Sequence, residues 1–179
     1  MVNCGLKLEE VELTTRSAGS TGVLHIKRKL EQMFFGQHRH ILDTKSRLTV
    51  PADYRELLVD GAYVMQGLDR NLIVLPEDVF KAISHDIDQM NVNDPLARLL
   101  RRLIYSTASR VVFDRTGRML IPQFLRQYAG LDGEVVLAGA GNYIEIWAPA
   151  QWDLQLNQMQ DTEANAQRFA PLVISTTKS

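Results

Sequence analysis

Two short stretches carry charged residues in the same places. The stretch "DTKSRLTVPADYR" begins at Asp43 and "DRTGRMLIPQFLR" begins at Asp114; each has an arginine four residues after the aspartate, a proline after eight and a second arginine after twelve. An arginine guanidinium can bond a phosphate, a carboxylate or the edge of a guanine. An aspartate at the start of a turn can accept backbone N–H groups and orient the arginine beside it. Such a pair suits recognition of a nucleic acid, or it simply closes a hairpin.

The repeated charges belong to a longer internal duplication. At a constant separation of 71 positions, the second stretch repeats the first: Asp43, Arg47, Pro51 and Arg55 match Asp114, Arg118, Pro122 and Arg126. After one inserted residue the separation becomes 72, and the agreement continues through glycines and apolar residues to Phe80 and Trp152. An internal repeat of this kind indicates two copies of one structural unit.

Composition excludes several classes of protein. The chain has 179 residues, a net charge of −1 and a single cysteine, so an internal disulfide framework is excluded and a reducing cytoplasm is favoured. No apolar run is long enough to span a bilayer.

The charged residues are unevenly distributed along the chain: seven arginines and one acid lie between residues 98 and 126. A near-neutral protein can therefore still present a basic face, although the same arginines can equally form a solvated face with internal ion pairs.

Each copy predicts the same short elements. A strand, a tight turn and a second strand lead into a stub of helix, "ADYRELL" or "QFLRQYA"; two apolar strands and a closing helix behind a proline follow. Gly117 suits the positive φ of the tight turn, whereas Ser46 at the matching place does so less easily, so the first turn is expected to be strained or differently aimed. A unit this small cannot bury a core alone, and two units can close one shared barrel by exchanging hairpins.

The segment between the copies, "NDPLARLLRRLIYS", predicts a helix capped by Asp94 and started by Pro95. Its buried stripe is predicted to be Leu96, Leu99, Leu100, Leu103 and Ile104. The other face carries Arg98, Arg101 and Arg102, which can reach DNA or a neighbouring subunit. The predicted organisation is a poorly ordered, dispensable extension at 1–32, a first repeat at 33–90, a connecting helix at 91–106, a second repeat at 107–160 and a tail, flexible or weakly helical, at 161–179.

The segments "MFFGQHRHILDTKSRLTVPADYREL", "DPLARLLRRLIYSTASRVVFDRTGRMLIPQFLRQYAGL" and "GNYIEIWAPAQW" resemble the MraZ family of bacterial transcriptional regulators, from Met33 to about Met159. The resemblance implies a mostly β, α+β fold: an AbrB-type, swapped-hairpin, double-psi-like β-barrel built from two tandem SpoVT-AbrB-type repeats with flanking helices. It implies a ring-shaped homo-oligomer that binds double-stranded DNA at direct repeats upstream of the division and cell-wall gene cluster. The protein would be cytoplasmic and nucleoid-associated, with no catalysis, cofactor, metal, small-molecule substrate or membrane partner.

The resemblance and the duplication together favour DNA contact by four cations: Lys45, Arg47, Arg115 and Arg118. Asp43, Asp114, Ser46 and Gly117 would support the two turns. Arg55 and Arg126 are expected to be structural partners of acids such as Glu56. Phe35 stands where the family commonly has a basic residue.

Three other readings are open. His38 and His40 lie two apart on a predicted strand and could begin a zinc site, but such a site needs more ligands and the pair does not recur in the second copy. A pure assembly protein would form the ring without binding DNA. An AbrB-type antitoxin would keep the hairpin, although the tandem duplication argues against it.

Overall fold

A computed structural model describes residues 33–172, so the predicted extension at 1–32 and the end of the tail lie outside the described residues. Within 33–172 the fold is mixed α+β, with eight strands and six helices. The strands are β1 (Gln37–Ile41), β2 (Arg47–Thr49), β3 (Ala62–Gln66), β4 (Leu72–Pro76), β5 (Ser109–Val111), β6 (Arg118–Leu120), β7 (Glu134–Gly139) and β8 (Ile144–Trp147). The helices are α1 (Ala52–Glu56), α2 (Glu77–Asp88), α3 (Pro95–Thr107), α4 (Gln123–Ala129), α5 (Pro149–Gln160) and α6 (Thr162–Phe169).

Six strands form one antiparallel sheet in the order β1-β7-β8-β4-β3-β5. The first strand of each repeat pairs with the other repeat: β1 lies along β7, and β5 lies along β3. Strands β1 to β4 belong to the first repeat and β5 to β8 to the second. If each strand is replaced by its counterpart in the other repeat, the strand order is the same from the opposite edge of the sheet. The two halves of the sheet are therefore related by an approximate twofold axis. Neither repeat can complete its sheet alone, because its outer strand comes from the other copy.

The remaining two strands, β2 and β6, form a separate antiparallel ribbon across the repeats. Leu48 lies opposite Met119 in the register, and both side chains point inward and are buried. Two further backbone bonds extend the pairing: Val50 N–H donates to the Gly117 carbonyl and Ile121 N–H donates to the Ser46 carbonyl, each at 3.2 Å. The ribbon therefore joins the two Asp-x-x-x-Arg turns directly.

Within residues 33–172 the main apolar core contains side chains from both repeats. A smaller second cluster consists of Val136, Ala138, Trp147 and Trp152. Tyr54 is one of the largest members of the main core; its ring meets Phe34 edge-on at 5.3 Å, and its hydroxyl donates to the Phe35 carbonyl at 2.6 Å. Buried apolar area is the main source of stability in a domain of this size. The two repeats therefore share their main core.

The closing helices, which the sequence predicted behind a proline in each repeat, pack against the strands that precede them. On α2, Phe80 stacks on Tyr63 with ring centroids 4.2 Å apart. On α5, Trp152 lies 5.9 Å from Trp147, and its indole N–H donates to Gln37 Oε1 at 2.8 Å. The second closing helix is thus tied to the strand β1 of the first repeat.

The apolar stripe predicted for the connecting helix is only partly buried. Asp94 caps α3 as expected, accepting the Leu96 N–H at 2.8 Å, but Leu96 is 73% exposed and Leu99 is 61% exposed. Ala97 and Thr107 are buried, and Leu100, Leu103 and Ile104 are partly buried. Sequence periodicity therefore located much of the packed face, but Leu96 and Leu99 stay exposed within one chain.

The three arginines predicted for the outer face of α3 have different surroundings in the structure. Arg101 donates to Asp88 Oδ1 at 2.9 Å and to the Ile87 carbonyl at 3.0 Å, so it anchors α3 to α2. Arg98 donates to the Val92 and Asn93 carbonyls. Arg102 is exposed. Arg98 and Arg101, two of the three arginines predicted to face outward, therefore form hydrogen bonds within the fold.

The tail contains a short helix. Asp161 caps α6 by accepting the Ala164 N–H at 3.0 Å.

No helix within 33–172 is long and apolar enough to cross a membrane.

Candidate functional site

The first turn is held by the carboxylate of Asp43. Its Oδ1 accepts the backbone N–H groups of Lys45 and Arg47, both at 2.9 Å. The Ser46 N–H donates to the Asp43 carbonyl at 2.8 Å, and the Asp43 N–H donates to the Arg47 carbonyl at 2.9 Å. An aspartate that begins a tight turn satisfies backbone donors in this way.

The second turn repeats these contacts. Asp114 Oδ1 accepts the backbone N–H groups of Thr116 at 2.9 Å and Arg118 at 3.0 Å, and also the Thr116 hydroxyl at 2.8 Å. The Gly117 N–H donates to the Asp114 carbonyl at 3.0 Å. The two turns thus have the same backbone arrangement, with one additional hydroxyl bond in the second.

Of the two outcomes predicted for the turn at Ser46, a strained turn or a differently aimed one, the structure has the strained turn. The φ of Ser46 is +61°, close to the +75° of Gly117. A left-handed conformation costs a residue with a side chain about 1–2 kcal/mol, and the surrounding hydrogen bonds hold Ser46 there. The strain that the sequence predicted is present, but the geometry of the turn is kept.

The four charged residues of the two turns meet in one network. Arg47 donates to Asp43 Oδ2 through Nε at 2.8 Å and approaches it through Nη2 at 2.7 Å; Arg118 repeats this with Asp114 at 2.8 Å for both atoms. Each arginine also reaches the aspartate of the other repeat: Arg47 Nη1 to Asp114 Oδ2, and Arg118 Nη1 to Asp43 Oδ2, both at 3.3 Å. The side chains are half-buried, so they combine fixed geometry with access from solvent.

The network keeps both carboxylates ionised. The side-chain hydrogen bond from Arg47, and then its backbone N–H, lower the pKa of Asp43 from 3.8 to about 2. Arg118 and Thr116 lower the pKa of Asp114 still further through the same kinds of bond. Hydrogen bonds to the charged form of a carboxyl favour that form. The turns therefore hold an alternating set of two guanidinium and two carboxylate groups at neutral pH.

Donor capacity remains on each arginine of the network. A guanidinium has five N–H groups, and the contacts described occupy one on Nε, one on Nη1 and one on Nη2. Two N–H groups of Arg47, and by the same geometry two of Arg118, are left for another acceptor. An arginine already fixed by carboxylates loses less side-chain entropy when it binds.

Lys45 and Arg115 extend from the tips of the turns into solvent. Within residues 33–172, neither side chain forms an ion pair. With Arg47 and Arg118 they make four cations against two carboxylates on this face. We call this surface, formed by both turns and the outward side of the ribbon, the turn face. It has the charge to attract a polyanion.

Arg55 and Arg126 lie behind the turns, but their partners are not acids. Arg55 Nε donates to the Val50 carbonyl at 3.1 Å, and Arg126 Nε donates to the Ile121 carbonyl at 3.3 Å. The Arg55 guanidinium also covers Gly117 so closely that a Cβ on that glycine would lie 2.5 Å from Nη1. Both arginines have the structural role that was predicted, but they brace the end of the ribbon through backbone carbonyls, so the predicted pairing with acids was wrong.

Other residues singled out in the sequence lie apart from this network. His38 and His40 have ring centroids 6.4 Å apart on β1, and no group of three or more His, Cys, Asp or Glu side chains within 33–172 could hold a metal ion. Burial, and then the neighbouring His38, lower the pKa of His40. Phe35 is exposed.

The contact that sequence reasoning missed is the cross-repeat pairing of each arginine with the other repeat's aspartate. The matched Asp-x-x-x-Arg motifs were visible, but the pairing joins residues 67 and 75 positions apart. Outward exposure of Leu120 on β6, opposite Arg47, was also not anticipated.

Comparison with known proteins shows which family the chain belongs to. The sequence model of the family described as "MraZ protein, putative antitoxin-like" matches twice in tandem, at residues 33–103 and 104–170. A protein named transcriptional regulator MraZ from Thermomicrobium roseum is 37% identical over 142 residues, which are 79% of this chain and 100% of the relative. Relatives of the same name are 36% identical over 138 residues in Roseiflexus sp. (77% of this chain, 94% of the relative) and 38% identical over 134 residues in Desulfitobacterium hafniense (75% and 94%). The two family matches cover the two repeats and most of the described chain, which confirms the resemblance: the chain belongs to the MraZ family.

Proposed function

We propose that this protein is a DNA-binding transcriptional regulator without enzymatic activity, and that the turn face is its DNA-binding surface. The relatives' name, transcriptional regulator, supports the general function. The observation that supports the surface is the network of Asp43, Arg47, Asp114 and Arg118. It holds two arginines rigidly at an exposed edge and leaves N–H donors on both.

The four cations of the turn face divide into two kinds of contact. Lys45 and Arg115 are exposed and unpaired within the described residues, so they suit phosphates, which need charge more than fixed orientation. Arg47 and Arg118 are oriented by carboxylates, so they suit guanine edges, where a bidentate bond requires a defined geometry. A two-stranded ribbon such as β2–β6 has a width that the major groove admits.

We further propose that the strand exchange belongs to an AbrB-type, double-psi-like barrel. The pairings β1–β7 and β3–β5 support this, since each repeat completes the sheet of the other. In proteins with a single such unit, two chains would be needed for the same exchange. Here the tandem repeat supplies both copies.

Self-association into a ring would follow from the exposed face of α3. Leu96 and Leu99 are large apolar side chains in solvent on a helix whose other side is packed against α2 and β3. One subunit also offers few cations to DNA, so several subunits on repeated sites would raise the affinity through effective concentration. We therefore propose a closed homo-oligomer that binds direct repeats upstream of the division and cell-wall gene cluster, in the cytoplasm and at the nucleoid.

A gel-shift experiment tests this function. The full chain is titrated against the region upstream of its own gene cluster, and against the same DNA with its repeats scrambled. Binding is expected for the natural region, with affinity falling steeply as the number of repeats is reduced to one. Equal binding to both DNAs, or none, would reject sequence-specific regulation.

An assembly-only protein is the second candidate, because the exposed leucines of α3 are consistent with self-association whether or not DNA is bound. The gel shift separates the two functions. An assembly-only protein would form the oligomer and give no shift.

A further inference from the structure

The turn face carries a large apolar residue at a place where its pseudo-symmetric partner is polar. The outward side of the ribbon consists of four side chains: Arg47 and Thr49 on β2, Arg118 and Leu120 on β6. Repeat exchange relates Arg47 to Arg118 and Thr49 to Leu120. The two arginines occupy equivalent positions. The two halves of the outward side differ at the other position, where β2 has Thr49 and β6 has Leu120.

Leu120 is held beside an arginine of the network. It lies directly opposite Arg47 in the β2–β6 register, while Thr49 lies opposite Arg118. Side chains directly opposite each other on one face of an antiparallel pair have Cβ atoms about 4.5–5.5 Å apart. Leu120 is 60% exposed, because alternation along the strand sends Met119 into the core and Leu120 outward. Any base whose edge is bonded by Arg47 would thus have an apolar neighbour.

Single exposed leucines are common and need no explanation by themselves. Leu120 differs because it lies within a group of cations, where a cationic or strongly apolar protein partner is disfavoured. A polyanion that also presents isolated apolar groups matches this surface. Double-stranded DNA is such a partner, since thymine places its 5-methyl group in the major groove.

We propose that Leu120 is a specificity-determining residue that contacts the 5-methyl group of a thymine next to the base bonded by Arg47. This inference rests on the proposed DNA-binding function. Because Thr49 occupies the equivalent place beside Arg118, the two halves of the turn face read different sequences. The site bound by one subunit is therefore asymmetric, and it has a direction along the DNA.

The test uses the full chain and a duplex that this protein selects from a randomised pool. Each thymine of the selected duplex is replaced singly by deoxyuridine, which removes only the 5-methyl group, and affinity is measured by fluorescence anisotropy. We expect one thymine per subunit site at which deoxyuridine lowers affinity about fourfold, as expected for one buried methyl-sized group. L120S should lose about the same factor on unsubstituted DNA and show no further loss with deoxyuridine. T49S is the matched control and should keep the deoxyuridine penalty.

The outcomes separate this inference from the proposed function. A deoxyuridine penalty that persists in L120S, or a selected site in which no thymine is sensitive, overturns the role of Leu120 and leaves DNA binding intact. A smaller oligomer of L120S in light scattering, with the penalty retained, assigns Leu120 to self-association and also overturns the inference. Absence of any selected or bound DNA overturns both. Melting temperatures of both variants establish that they are folded.

Discussion

Arg47 donates to Asp114 of the other repeat across 3.3 Å, and the reciprocal bond from Arg118 to Asp43 has the same length. The two turns are therefore one structural unit, although they lie in different copies of the repeat. Each aspartate has two tasks: one carboxylate oxygen holds its own turn, and the other receives both arginines. The turn face is organised before any ligand arrives, which reduces the entropy that binding would cost.

Because the two turns share one geometry, R47A and R118A are expected to weaken DNA binding to a similar extent. A bidentate contact between arginine and guanine contributes about 1–3 kcal/mol of discrimination, so either variant should lose preference for the true site by about that amount. Titration of specific and scrambled duplexes measures the loss. R168A, in helix α6, is the matched control and should bind as the unmodified chain does. A mild effect of R47A beside a severe one of R118A would show that the turns are not equivalent.

The left-handed residues of the two turns predict opposite effects on stability. S46G should raise the free energy of unfolding by about 0.5–1 kcal/mol, because glycine adopts φ near +61° without the steric cost. G117A should lower it by about 1–2 kcal/mol or more, since the new Cβ would also meet the Arg55 guanidinium. Denaturant unfolding of the three proteins gives both values. An unchanged stability of G117A would contradict the close packing of Arg55.

The ion network predicts a specific loss of stability in acid. The pKa of Asp43 is depressed to about 2 in the folded chain, so its contribution is complete above its ordinary pKa of 3.8 and disappears as the pH falls through about 2. Asp114 should behave with the same sign and titrate at still lower pH. The unfolding free energy of the unmodified chain should therefore fall more steeply below pH 3.8 than that of D43N. Parallel pH profiles of the two proteins would argue against the network.

The exchanged strands predict that neither half of the chain folds alone. A fragment of residues 33–107 lacks β7, the partner of β1, and a fragment of 108–172 lacks β3, the partner of β5. Each fragment is expected to show no cooperative unfolding in circular dichroism while it is monomeric, and an equimolar mixture should recover it. A first fragment that melts cooperatively and is monomeric in light scattering would mean that the repeats are independent domains.

Local patterns predicted much of this architecture. The alternation in "RLTVP" and "RMLIP", the prolines and the apolar runs predicted the strands and helices of both repeats, because these features depend on neighbouring residues. The sequence left open whether the turn at Ser46 would be strained or differently aimed, because the bonds of Asp43 and the ribbon, which outweigh the preference of serine itself, could not be read from it.

The burial of α3 could not be read from its periodicity. Leu96 and Leu99 lie on the apolar face that the pattern identified, but periodicity does not say what covers a face. The cross-repeat contact between Arg47 and Asp114 was likewise hidden, because it depends on how β2 and β6 align in space.

The most direct test of the central claim uses Lys45 and Arg115 rather than the arginines of the network. Within 33–172 neither forms an ion pair, so the double variant K45A/R115A removes two cations from the turn face without exposing a carboxylate. DNA affinity is measured over a range of salt concentrations, with R168A as control. If both residues bind phosphates, affinity falls and the slope of log affinity against log salt flattens by about 0.9 per contact, or about 1.8 for each engaged subunit. An unchanged affinity and slope, with the oligomer intact, would contradict DNA binding by the turn face.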